Sequence, residues 1–123
     1  MKLFTVEEAN ALLPELRHLL EKIQEERNVL RRLEPEIKMA GERASEGGGT
    51  SSGVRYVTAL SRITDYAQTI LSLGVQIKDF DRGLCDFPHL REDRVVFLCW
   101  QYGEDHIEWW HDVDAGFAGR QRL

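Results

Sequence analysis

Cysteine, proline and methionine are scarce in this chain, with two, three and two copies in 123 residues. Cys85 and Cys99 make neither a disulfide framework nor a four-ligand zinc pattern, so reduced thiols and a cytoplasmic location are expected. No apolar run approaches the roughly 20 residues that cross a bilayer, so no membrane association is expected. The opening Met1-Lys2-Leu3-Phe4-Thr5 lacks the long apolar stretch of a secretory leader. What is present is a globular balance, 42% apolar and 30% charged, which separates the chain from disordered sequences. A single domain over residues 1–123 is expected, since a chain of this size buries enough surface to hold a core without disulfides.

Positive charge is in short supply in one segment. Residues 1–44 hold eight Lys/Arg against nine Asp/Glu, whereas residues 75–114 hold four against ten, for a local charge of -6. Nucleic acid is gripped through Lys and Arg set against phosphates, so this segment argues against such a partner. It also carries His89, His106 and His111, three of the four histidines. Imidazoles among carboxylates are the donors a divalent cation takes, so a metal is the candidate cofactor.

Periodicity divides the chain. Thr5 followed by Glu8 forms a capping box, and the seam Leu12, Leu16, Leu19, Ile23, Glu26, Leu30, Leu33, Ile37, Ala40 steps by four and three. This predicts a first helix over 5–44, bent at Pro14 and Pro35 where each ring removes a backbone donor. A Gly/Ser-rich stretch over 45–53 predicts a flexible tip. A second helix over 54–73 uses Tyr56, Leu60, Ile63, Ala67 and Ile70, and Gly74 stands at its C-terminal cap. Two such seams across a short loop give an antiparallel helical hairpin, coiled-coil-like in its spacing. Residues 75–114 read as short strands: Val75–Lys78, Leu84–Phe87 stopped by Pro88, Val95–Gln101 after a loop from His89 to Arg94, and His106–His111. Residues 115–123 are left as a tail. The fold class is therefore α+β, a long helical hairpin carrying a small C-terminal antiparallel sheet.

Three segments, Phe4-Thr5-Val6-Glu7-Glu8-Ala9-Asn10-Ala11-Leu12-Leu13-Pro14, Lys78-Asp79-Phe80-Asp81-Arg82-Gly83-Leu84-Cys85-Asp86-Phe87-Pro88 and Trp110-His111-Asp112-Val113-Asp114-Ala115-Gly116-Phe117-Ala118-Gly119-Arg120, carry a resemblance. They resemble a small bacterial family, domain of unknown function 2203, over nearly the whole chain apart from the Gly/Ser tip. The closing Trp-His pair leading into Asp-Ala-Gly-Phe-Ala-Gly-Arg is its most specific part. The resemblance implies a short protein and carries over no catalytic residue or cofactor. Cys85 departs from it, standing where an aliphatic residue is expected.

The candidate site gathers at the junction of sheet and tail. Asp86, His111, Asp114 and Arg120 are polar groups set among Trp, Phe and Leu, so burial and mutual pairing are expected, with Arg120 bonded to Asp86 or Asp114. Asp79, Asp81, His106 and Glu108 are secondary candidates. Strand alternation puts His106 with Glu108 and sends His111 to the opposite face, so the two histidines are not expected to share a site. Cys85 and Cys99 fall in apolar runs and read as inert buried thiols. Trp100, Trp109 and Trp110 crowd a small sheet and, with Phe117 as a plug from the tail, are the interface candidates. The expectation is a non-enzymatic interaction protein that forms a homodimer or binds a protein partner. The alternative is a small metal- or ligand-dependent enzyme using the junction site.

Overall fold

The structure, a computed structural model, describes residues 1–42 and 51–123. Two helices, α1 (Val6–Glu42) and α2 (Ser51–Ser72), precede five strands: β1 (Gln76–Asp79), β2 (Leu84–Arg91), β3 (Arg94–Gln101), β4 (Trp109–His111) and β5 (Gln121–Arg122). The chain is α+β, and it divides into two compact units: Met1–His18 with Gln68–Leu123, and Leu19–Ala67.

The start of α1 is set by chemistry local to the sequence. The Thr5 N–H donates to Glu8 Oε1 (2.9 Å) and the Glu8 N–H donates to Thr5 Oγ1 (3.0 Å), so two orphan amides of the first turn are satisfied reciprocally. The same bonds hold the Glu8 carboxyl below its ordinary range, the Thr5 amide being the larger cause. The helix runs unbroken through Pro14 and Pro35. Both prolines are exposed, where the carbonyls their rings leave unpaired can be hydrated.

In the unit Leu19–Ala67 the helices are antiparallel. Ser52 Oγ donates to Glu36 Oε2 (2.6 Å) and Arg62 Nη1 reaches Glu26 Oε1 (3.4 Å), so ten residues forward on α2 match ten residues back on α1. Leu19, Leu20, Ile23, Leu33 and Ala59 are buried there. One seam position differs from expectation: Ala59 is buried while Leu60 is 43% exposed. The inward stripe of α2 is Tyr56, Ala59, Ile63, one residue off the predicted row at its second member, with Ala59 buried and Tyr56 and Ile63 half-buried. The helix also begins earlier than expected, at Ser51, so Ser51–Gly53 belong to α2 rather than to a tip. Residues 45–50 of that tip, and 43–44 of the first helix, lie outside the described residues.

The other unit holds the sheet, an antiparallel meander in the order β1-β2-β3-β4-β5. One face carries Cys85, Phe87, Val96, Leu98, Trp100 and Trp110, and Phe87 meets Phe4 edge-on at 5.3 Å. Gly74 turns the chain from α2 into the sheet with φ 93°, and a Cβ there would press on Lys2 and Phe4 at 3.2–3.3 Å.

Three details of the sheet correct the sequence reading. Pro88 does not stop β2, which continues to Arg91. Strand β1 has ended by then, so Pro88 faces an edge where no amide is required, and its carbonyl accepts the Phe4 N–H at 2.7 Å. The expected loop from His89 to Arg94 is instead strand on both sides of a two-residue turn, Glu92-Asp93, with φ of 50° and 62°. Finally, β4 spans only Trp109–His111, because the Ile107 N–H leaves the ladder to donate to Asn10 Oδ1 at 2.8 Å.

Candidate functional site

The register of three strands builds the site. Asp86 on β2 lies opposite Cys99 on β3, and Phe97 on β3 lies opposite His111 on β4. Side chains two apart on a strand share a face, so Asp86, Cys99 and His111 project from the same side of the sheet, opposite to Phe87 and Trp100. All three are buried, with Asp86 and His111 at 2% exposure and Cys99 at none. One ligand atom from each lies within 4.8 Å of the other two.

Hydrogen bonds fix the imidazole. His111 Nδ1 lies 2.7 Å from the Asp112 carbonyl oxygen, which can only accept, so Nδ1 bears a hydrogen. Nε2 points at Asp86 Oδ1 from 3.0 Å. A carboxylate oxygen and an imidazole nitrogen at that separation share a proton or a cation, since two lone pairs repel. The Cys99 thiol lies within 4.8 Å of both ligand atoms. Burial pushes this thiol up to about 12, with the Asp86 charge adding to the effect and Arg120 opposing it. Cys85, on the other face, is raised to about 12 by burial first and Asp86 second. At neutral pH both are therefore protonated, and neither is set up as a nucleophile.

Of the four leading candidates, Asp86 and His111 meet directly. Arg120 pairs with neither Asp86 nor Asp114: its Nη2 donates to both oxygens of Glu104, at 2.7 and 2.9 Å, and to the Cys99 carbonyl at 3.3 Å. Glu104 wins because the β3–β4 turn already pins it, its Oε1 accepting the Gln101 N–H at 2.7 Å. Asp114 is exposed and lines a shallow cleft of about 500 Å³ with Arg94 and Asp112. Among the secondary candidates, Asp79 Oδ1 caps the β1–β2 turn by accepting the Arg82 N–H, and Asp81 is exposed. His106 binds Glu108 (3.1 Å) and Asp105 (3.3 Å) on the surface, apart from His111.

Two of the three tryptophans are covered within the chain. Trp100 and Trp110 are buried, and guanidinium groups stack on all three rings: Arg17 on Trp100, Arg91 on Trp110 at 4.6 Å, and Arg120 with Arg122 on Trp109 at 5.0 and 5.2 Å. Phe117, half-buried, sits between Arg82 (4.1 Å) and Arg120 (4.7 Å). Trp100 and Trp110 thus present no free surface for a partner, and Trp109 and Phe117 present a part of theirs.

Two residues that make contacts with the candidates are not among those expected from the sequence. Cys99 looked like any thiol in an apolar strand, and only the pairing of β2 with β3 sets it against Asp86. Glu104 follows Gly103 in the turn between β3 and β4, and its pairing with Arg120, sixteen residues on, depends on where the tail returns.

No helix among the described residues is long and apolar enough to cross a membrane. No curated protein and no solved structure matches the chain. The family model for DUF2203, described as an uncharacterized conserved protein, matches residues 2–123, and the chain belongs to that family.

Proposed function

We propose that this protein is a non-enzymatic, self-associating interaction module, cytoplasmic and without a nucleic-acid partner. The observation that carries the reading is a second apolar row on α2. Beside the inward stripe, Val57, Leu60, Thr64, Ala67 and Leu71 step by three, four, three and four, the spacing of a coiled-coil seam. Val57 and Leu71 are each 65% exposed and Leu60 43%, with Ala67 half-buried at the edge of the row. The row contains no charged residue, so a second copy of the helix laid along it meets no like charge. A second copy is also the occupant that symmetric pairing favours, since a twofold axis needs one self-complementary patch. The burial of Asp86, Cys99 and His111, none more than 2% exposed, supports a non-catalytic role, because these atoms are closed to a substrate in solution.

Light scattering on the full chain tests this. The reading expects twice the 14.2 kDa chain mass at micromolar concentration, and the monomer mass for Val57→Glu/Leu60→Glu with its circular dichroism unchanged. A wild-type chain that stays at 14.2 kDa throughout overturns it. The surplus of acid over base in residues 75–114 supports the absence of a nucleic-acid partner, and two free cysteines suit a reducing compartment.

A further inference from the structure

We propose that Asp86, Cys99 and His111 form a binding site for one zinc-class divalent cation. Carboxylate, thiolate and imidazole are the three side-chain donors from which tetrahedral zinc sites are made. Atoms no more than 4.8 Å apart leave a point within about 2.8 Å of all three, and contraction to the 2.0–2.3 Å of zinc bonds needs small rotations about χ angles. The imidazole is already prepared: Nδ1 is committed to the Asp112 carbonyl, which orients the ring and leaves Nε2 as the coordinating nitrogen.

Charge favours the same conclusion. A dication with one thiolate, one carboxylate and one neutral imidazole sums to zero, the value a buried site without other compensation requires. Loading breaks the Cys99 S–H bond and removes the proton shared between His111 Nε2 and Asp86, so two protons pass to solvent for each cation bound. The fourth position is taken by the second Asp86 oxygen or by water. A site of this kind, with all its protein ligands buried, ties β2, β3 and β4 together.

The test uses the full chain, freed of metal with a chelator and titrated with Co²⁺ as the probe. One equivalent is expected to produce a thiolate-to-cobalt charge-transfer band with four-coordinate d–d absorption, and one equivalent of Zn²⁺ is expected to abolish both. Cys85→Ser should keep the band, whereas Cys99→Ser and His111→Gln should lose it. X-ray absorption on the zinc-loaded wild type should find one sulfur among nitrogen and oxygen neighbours, a result that stands even where a variant fails to fold. Absence of a charge-transfer band in the wild type at tenfold excess cobalt overturns the proposal. So does a band that survives Cys99→Ser, or a first shell with two sulfurs. The oligomeric state is read separately, so this site and self-association through α2 succeed or fail independently.

Discussion

His111 on β4 holds Asp86 on β2 at 3.0 Å, across the strand that separates them. The bond spans β3 above Cys99, so it ties two strands that share no backbone ladder. Removing one partner leaves the other buried and uncompensated. His111→Ala and Asp86→Ala are each expected to cost about 3–5 kcal/mol in urea denaturation of the metal-free chain. The double variant Asp86→Leu/His111→Phe is expected to cost much less than the sum of the single changes, because nothing charged remains in the interior. Additive losses would show that the two side chains act independently.

The two thiols make stability depend on alkaline pH. Both have folded values near 12 against an ordinary 9.0, so their protonated form belongs to the folded state. Their contribution is fully present below pH 9 and is lost as pH climbs toward 12, since the unfolded chain releases protons that the folded chain retains. Each thiol adds a slope of about 1.4 kcal/mol per pH unit in that window. Denaturation midpoints measured from pH 7 to 11 should fall for the wild type, and the fall should be shallower for Cys85→Ala. Equal slopes for the two proteins would mean that other groups dominate the alkaline loss.

What could be read from the sequence was local. The Thr5–Glu8 box, the Gly74 cap and the helical periodicity of both helices depend on residues within one or two turns, and the structure has the box, the cap and the two helices where the sequence put them. The α+β class followed from the switch of periodicity after Gly74. Registration between distant strands was not legible. Cys99 meets Asp86 because β2 runs past Pro88 into a turn of Glu92-Asp93, and neither residue advertises a left-handed turn as Asn-Gly would. Likewise, the choice between Ala59 and Leu60 as the inward residue is a rotation of α2 by a fraction of a turn, which spacing alone does not decide.

That turn offers a stabilising change. Glu92 and Asp93 both hold positive φ, at 50° and 62°, a region that costs an L residue about 1 kcal/mol and costs glycine almost nothing. Asp93→Gly, and more so Glu92→Asn/Asp93→Gly, should raise stability by up to about 0.5 kcal/mol after the extra freedom of the unfolded glycine is deducted. A rise in melting temperature with an unchanged denaturant slope is the expected readout. A fall would indicate that these side chains make contacts worth more than the strain.

Arg120 and Glu104 fasten the C-terminal tail, and the attachment should fail locally. The Arg120 side chain is 12% exposed and that of Glu104 28%, so their pair is screened less than a surface bridge and its hydrogen bonds are charge-assisted. Glu104→Gln keeps an oxygen for the Gln101 N–H but removes the charge facing Arg120 and replaces its second acceptor by an amide NH2, at a cost of about 1–3 kcal/mol. The loss should appear in the tail first. β5 is two residues long, and beyond its ladder the Leu123 N–H donates to the Glu108 carbonyl at 2.9 Å. Hydrogen exchange is expected to quicken at Arg120 and Leu123 while the β2–β3 ladder keeps its protection. Arg120→Lys should behave like Glu104→Gln and not like the wild type, because an ammonium lacks the fork that reaches both Glu104 and the Cys99 carbonyl and the broad guanidinium face set over Trp109 and Phe117. Uniform loss of protection across all five strands would instead make the pair part of the global folding unit.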